Sequence, residues 1–342
     1  MYTIFQPFAL VAITPVHPGA GAGLGVIDLP IQREKHTGYP KIEASGIKGV
    51  LKDCYRPSTP YDKNASGWHK LETVLGPKDG DRHDSAAGFM DARILFFPVK
   101  SVNGVFAWVT CQNVLDKFQS MLELAGLPLA DADGPISLAA IGPNKIAADD
   151  AAIAVEVSAR KDVVLDDQVL MDARKENDFS RFISWFADRF LSPDRLRHQR
   201  KGLRRQAVTV DDDLFSELVQ QYTEIIARNS LSDETGTVEQ GPWYEEYLPQ
   251  ETILYSLALA GKPTSENPPA DMTDAAAVMK FLSDSWPPLI QLGGNATIGK
   301  GFLRLSLYLA PQPPNSPDDG ERIPASAVDN SVEPGIEAQR GA

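Results

Sequence analysis

The chain has 342 residues, 46 Asp plus Glu against 33 Lys plus Arg, two cysteines and five histidines, a length that suits two domains or one elaborated domain at ~100–200 residues each. Cys54 and Cys111 lack CxxC spacing, which excludes a zinc knuckle or a disulfide framework and makes a reducing cytoplasm the expected compartment. No apolar run approaches the ~20 residues of a membrane span, and a formal charge of −13 argues against a polyanionic partner, whose binding rests on Lys and Arg displacing counterions.

The first apolar run, Ile4 to Ile13, has no basic leader or small-residue cleavage site and stops at Thr14-Pro15; it reads as a strand over Phe8 to Ile13. After a glycine-rich loop, Ala44 to Arg56 places Ile47, Val50, Leu51 and Cys54 at helical spacing. Arg93 to Val99 and Val105 to Cys111 form a predicted hairpin around Asn103-Gly104, and Val114 to Ala125 continues as an amphipathic helix. The largest insertion is expected between about 126 and 250. It contains the one basic stretch of the chain, from Arg181 to Arg205, where eight Arg and Lys stand against Asp188 and Asp194. Such a run is either a solvated helix face or a contact for an anion.

A second unit follows: a strand over Thr252 to Ala260, a helix from Asp274 to Trp286 capped by Thr273 or Asp274, and a strand over Phe302 to Leu309. In the last strand Leu303, Leu305, Leu307 and Leu309 alternate with Phe302, Arg304, Ser306 and Tyr308, so one face is expected to be buried. Two βαβ-like units predict an α+β fold with a ferredoxin-like or RRM-like core and long insertions. Residues 311–342 carry six acids and two arginines with much Pro and Ser. They cannot bury enough surface to offset their ordering entropy and are expected to be a disordered acidic tail.

Three segments could carry chemistry. Glycines alternate at 19, 21, 23 and 25, between His17 and Asp28-Leu29-Pro30-Ile31-Gln32-Arg33; the spacing does not fit GxGxxG and Pro30 interrupts any following helix, so a Rossmann site is not expected. A long mobile loop with a His, an Asp and an Arg is a common seat of catalytic groups, or else a flexible connection. Gly294 to Lys300 matches GxxxxGK, but Gly301 stands where a P-loop needs Ser or Thr, and a strand follows instead of a helix. Its exposed amides and Lys300 could still lie against an RNA backbone, or form only a tight turn. In Trp243-Tyr244-Glu245-Glu246-Tyr247, adjacent carboxylates flanked by aromatics suit acid/base work or metal binding, or a strand edge with one acid paired.

Together these segments resemble the RAMP-type backbone subunits of the type III-B CRISPR effector, the Cmr complex. The resemblance is carried by His17-Pro18-Gly19 with the glycine run, Gly25 through Asp28 to Arg33 and Glu34, His36-Thr37-Gly38-Tyr39-Pro40, Ser45-Gly46-Ile47-Lys48-Gly49, the segment from Gly236 to Pro249, and the loop 293–301. It covers roughly residues 5 to 310. The resemblance implies a single RAMP domain over 1–310, with an RRM-like palm, a glycine-rich loop and a thumb-like insertion placed roughly within 150–205. It further implies stacking of several copies along a CRISPR guide RNA, association with other Cmr subunits, and cutting of single-stranded target RNA at six-nucleotide intervals with a divalent metal, Mg or Mn. By position, Asp28 is the implied catalytic and metal-binding aspartate, His17 the nearby histidine, and Glu245 (or Glu246) and Tyr247 the second acidic and tyrosine positions. Lys48 matches a guide-phosphate contact, and Ser45, Arg33, Gly293, Gly294 and Lys300 are the further candidate RNA contacts. A non-catalytic guide-binding scaffold of the same fold is the alternative. A protein this acidic should bind RNA poorly as a lone subunit.

Overall fold

A computed structural model describes residues 1–23, 25–62, 64–77 and 83–311; the acidic tail expected over 311–342 lies, beyond Pro311, outside the described residues. Six elements make the core: β1 (Tyr2–Ala12), α1 (Ala44–Cys54), β2 (Ala92–Lys100), β3 (Ile253–Gly261), α2 (Ala275–Asp284) and β4 (Phe302–Leu307). In β1 every residue from Pro7 to Ala12 is buried, the mark of a strand covered on both faces and paired on both edges. β3 pairs antiparallel with β1 on one side, Phe8 opposite Ser256, and with β2 on the other, Leu254 opposite Ile94. On the second edge of β1 lies β4, antiparallel, with Leu10 opposite Leu305. The order β2-β3-β1-β4 with helices after the first and third strands is the ferredoxin-like arrangement expected from the two βαβ-like units.

The period of two sorts the side chains of β3 onto different layers. Ser256, opposite Phe8, faces the helical layer, where Trp286 just beyond α2 meets Phe8 at 5.0 Å between ring centroids. Tyr255, opposite Ala9, faces the other way and meets Phe118 at 5.1 Å. Phe118 sits on the helix Gln112–Leu124 and also touches Phe182, Trp185, Phe186 and Phe190 of the helix Asn177–Phe190. Truncating a ring so enclosed costs about 3–5 kcal/mol. α1 is seated by Ile47 and Leu51, and α2 starts where the Asp274 side chain accepts from the Ala277 N–H at 2.8 Å.

The insertion widens the sheet. Phe106–Cys111 pairs antiparallel with β2, forming the expected hairpin, and Ala207–Val210 then pairs parallel with Phe106–Cys111. The segment in which the thumb-like insertion was expected, 150–205, holds a small three-stranded sheet (Ala154–Val157, Arg160–Leu165, Gln168–Leu170), the aromatic helix Asn177–Phe190 packed on the core, and the basic helix Arg197–Gln206. A different element is exposed on both faces over part of one strand. In the ribbon Glu224–Leu231 paired with Val238–Tyr247, residues 238–242 are all exposed, and burial sets in only near its base, at Glu245 to Tyr247. Among the described residues no helix is long and apolar enough to cross a membrane.

Candidate active site

The loop after β1 is pinned where the sequence suggested mobility. It folds back on itself through three backbone bonds, Gln32 N–H to Pro18 O (2.8 Å), Ala20 N–H to Pro30 O (2.9 Å) and Gly23 N–H to Asp28 O (2.8 Å). It is then stitched to the base of the ribbon. Val16 and Leu248 exchange both backbone bonds, Leu29 N–H donates to Tyr244 O at 3.0 Å, and Glu246 N–H donates to Leu29 O at 3.0 Å. Asp28 therefore emerges beside the strand that carries the two glutamates. Its carboxylate is exposed, Oδ2 accepts from the Tyr244 N–H at 2.8 Å, and among the described residues Oδ1 has no hydrogen-bond partner.

Strand periodicity separates the adjacent acids. Glu245 shares a face with Tyr247, and Glu246 points to the other side. Glu245 Oε1 accepts from Trp243 Nε1 (2.9 Å), while Oε2 accepts from Asn295 Nδ2 (2.8 Å), from Arg228 Nε (3.3 Å) and from the Tyr247 hydroxyl. The Tyr247 oxygen in turn accepts from Arg228 (3.0 Å) and Asn295 (2.7 Å). Burial opposes ionisation of Glu245, yet the donors of Tyr247, Trp243 and Arg228 outweigh it and hold its carboxyl below the usual range. Burial and the neighbouring Glu245 push Tyr247 the other way, so it stays protonated. Glu246 is engaged at both oxygens as well: Oε1 takes Arg33 (2.5 Å) and the Thr223 hydroxyl (2.8 Å), and Oε2 takes the Ile31 N–H (3.0 Å). Both glutamates have each oxygen engaged, and Asp28 is the acid of the three with an oxygen to spare.

His17 lies in the same cluster, its ring centroid 5.4 Å from that of Tyr247. Nδ1 is 2.6 Å from the Glu246 carbonyl; a carbonyl can only accept, so Nδ1 carries the proton and Nε2 of the neutral ring is left as the acceptor. The glycine turn after residue 291 is shaped by this histidine. A Cβ on Gly293, whose φ is +88°, would stand 2.2 Å from the His17 carbonyl oxygen, and the Gly294 N–H donates to that oxygen at 3.1 Å. The turn also sets Asn295 in the left-handed region, aimed at Glu245 and Tyr247, and lays the Lys300 ammonium 5.1 Å from the centre of the Tyr247 ring. His17, Glu245, Tyr247, Gly293, Gly294 and Lys300 are thus gathered by the fold, with Asp28 on the adjoining backbone.

The other candidates stand apart from this cluster or face inward. Arg33 spends its guanidinium on Glu246 and on the carbonyls of Gly38 (2.8 Å) and Val219 (3.2 Å). Lys48, in the second turn of α1, donates to the Ser85 hydroxyl at 2.6 Å, and burial with the nearby Lys52 lowers its pKa. Ser45 is exposed on the first turn of the same helix. Asn295, Arg228 and Thr223 are the site residues to which sequence reasoning gave no role; their partners lie on other segments or across a strand pair, so no local spacing signals them.

Among the described residues no three His, Cys, Asp or Glu side chains group closely enough to hold a metal ion. The donor set offers one open carboxylate oxygen, on Asp28. That does not make a protein cage, but it fits a hard cation that keeps its waters and completes its shell with substrate phosphate, the usual habit of Mg²⁺.

The profile of the RAMP superfamily matches residues 9–304. A protein of Pyrococcus furiosus described as the CRISPR system Cmr endoribonuclease Cmr4 is 35% identical over 302 residues, covering 87% of this chain and 94% of that protein. Among solved structures, oligomeric Cmr4 from Pyrococcus furiosus is 26% identical with a TM-score of 0.63, covering 91% of this chain and all of that one. A chain of the type III-B Cmr-beta complex bound to cognate target RNA, 24% identical, has the same fold with a TM-score of 0.65 over 90% of this chain and 98% of its own. With its ferredoxin-like core, its matched span and its relatives in agreement, the chain belongs to the RAMP superfamily.

Proposed function

We propose that this chain is a backbone subunit of a cytoplasmic type III-B RNA-guided effector. It binds CRISPR guide RNA, stacks in several copies with other Cmr subunits, and cuts complementary single-stranded target RNA at six-nucleotide intervals. The reading is supported by the relative described as a Cmr endoribonuclease and by the oligomeric Cmr4 structure. The observation that carries the chemistry is Asp28: an exposed carboxylate fixed through one oxygen and open at the other, beside a network whose remaining acids are engaged.

Strand scission requires the ribose 2′-hydroxyl to attack phosphorus in line with the departing 5′ oxygen. The 2′-O–P bond forms, the P–O5′ bond breaks, the 2′ proton goes to a base, and the leaving oxygen takes a proton from water. In this scheme Asp28 Oδ1 takes the 2′ proton, or would hold Mg²⁺ or Mn²⁺; such an ion would supply charge stabilisation at the phosphate. His17 Nε2 adds a second acceptor, and a Cβ on Gly19 would stand 3.0 Å from it. Glu245, Arg228 and Asn295 keep Tyr247 oriented; Lys300, Lys48, Ser45 and Gly293 offer cations, a hydroxyl and an amide to the RNA backbone, while the Gly294 N–H holds the turn to the His17 carbonyl. A carboxylate and one imidazole make a geometry-limited catalyst.

The test is Asp28→Asn in an assembled, guide-loaded complex. The expected result is loss of cutting with guide loading and complementary-target binding retained. Full cleavage by the variant overturns the assignment of Asp28, and a wild-type assembly that binds guide without cutting leaves the scaffold alternative. Chelation of divalent ions should stop the wild-type cut; undiminished cutting in chelator removes the metal from the scheme.

A further inference from the structure

The helix Arg197–Gln206 is built against the local rules for a helix. Its N-cap, Leu196, makes no side-chain cap bond, its first turn carries no acid, and Arg197 and Arg200 stand at the end where the helix dipole is already positive. Arg200, Lys201, Arg204 and Arg205 then follow at three- and four-residue spacings that repel. Few carboxylates relieve this. Arg200 and Arg204 share the single Asp188, and Arg205 reaches Asp150. Arg197 and Lys201 are exposed and, among the described residues, make neither a hydrogen bond nor an ion pair; the acid nearest in sequence, Asp194, precedes the N-cap.

The inner face explains why the helix stays in place. Leu203 is fully buried, Gln199 is buried and donates to both oxygens of Glu251 at 3.1 and 3.0 Å, and a Cβ on Gly202 would meet the Trp108 ring at 2.7 Å. Glu251 lies on the connection that leaves the site strand: Leu248, three residues earlier, is bonded to Val16, and the Glu251 N–H donates to Ala12 O at the end of β1. The helix therefore sits at the same end of the sheet as the Asp28 loop. Its outer face presents Arg197, Lys201 and Arg205 in a row, each about 6 Å along the axis from the next.

We propose that this outer face is a second RNA-backbone contact, apart from the Asp28 cluster and from α1, which takes the phosphates of a single-stranded segment running beyond the cleavage site. An anionic strand is the partner that satisfies a cationic N-terminal half, a shortage of carboxylates and the unpaired Arg197 guanidinium and Lys201 ammonium, with Arg205 in line beside its one acid Asp150, on a chain whose total charge is −13. The inference rests on the RNA-guided reading above. The phosphates come from the guide or from the target.

The double variant Arg197→Gln/Lys201→Gln removes only side chains that lack partners, so the denaturation midpoint should not move. Equilibrium binding of guide to the unloaded assembly, and of complementary target to the guide-loaded assembly, is measured across a salt series. The expected result is a salt slope shallower by about 1.4 per subunit, two single-strand phosphate contacts at ~0.7 each, with the spacing of cuts unchanged. The arm in which the slope falls names the strand. Slopes unchanged in both arms overturn the proposal, as does a defect confined to assembly with other subunits, which would make the face a protein contact. A wild-type assembly that binds no RNA removes the function proposed above and this inference with it, whereas a wild type that binds and cuts beside a variant of unchanged slope removes this inference alone.

Discussion

Two acidic regions meet at the base of the ribbon, and they differ in what their oxygens are doing. On the strand, Glu245 and Glu246 are 5% and 2% exposed and accept from side chains and backbone on three other segments. On the loop, Asp28 is exposed and held by one backbone N–H. A carboxylate with both oxygens engaged has little capacity left for a proton or a cation; one with a free oxygen has it ready. The comparison divides the site into a rigid frame and a reactive group, although all three residues are acids within one stitched pair of segments.

Substitutions can break that division, beginning with the largest effect. Asp28→Asn should reduce target cutting by about 10²–10⁴-fold, the usual contribution of a positioned acid/base group, while an exposed change of this kind moves unfolding free energy by only about 0.5 kcal/mol; cleavage assays and urea melts on the same preparation check both halves. Glu246→Ala should invert the pattern. It strands Arg33, whose side chain is 23% exposed, and breaking such a pair costs about 3–5 kcal/mol, read as a lower denaturation midpoint. If Glu246→Ala were as stable as wild type, the frame would not depend on that acid.

Asn295→Ala sharpens the frame itself. It withdraws the donor shared by Glu245 and Tyr247 and should cost about 1–3 kcal/mol if the acceptors are left unsatisfied, with a fall in cutting and little change in guide affinity. Glu245→Gln tests the electrostatics. Because the native site holds the Glu245 carboxyl below its usual range, this group adds stability above its unfolded pKa that is lost as pH falls through the lower folded value. The wild type should therefore lose more stability than the variant on acidification below about pH 4.5; parallel acid limbs in the two proteins would count against it. The smallest effect is expected at Lys48→Ala, a salt slope for guide binding shallower by about 0.7 for one lost phosphate contact.

The core elements were legible because each shows its own period: six of them follow from apolar spacing and one cap at Asp274. The helix and strand readings at 44–56, 93–99, 105–111 and 274–286, found at 44–54, 92–100, 106–111 and 275–284, needed no partner to be recognised. The surroundings of Asp28 were not legible in the same way. Its loop looks mobile by composition, yet it is pinned by bonds to residues more than 200 positions away, including Tyr244 and Leu248. Asn295 and Glu245 are 50 residues apart and Arg228 and Tyr247 are 19 apart, so no spacing rule connects them. Gly293 was readable as a phosphate cradle; its immediate reason is the His17 carbonyl, which leaves no room for a Cβ. The helix Asn177–Phe190 was hidden inside an expected insertion because its rings pack on partners drawn from β2, β4's end and the helix at 112–124.

The three backbone bonds that close the Asp28 loop stop short of its tip, where Val26 is 90% exposed. A reporter there would ride on the pinned arm without entering the frame. Since Cys111 is buried and Cys54 exposed, a Val26→Cys protein with Cys54→Ser would offer a single addressable thiol, and a fluorophore attached to it would register the arrival of a strand beside Asp28 in real time, separating docking from the cut that follows.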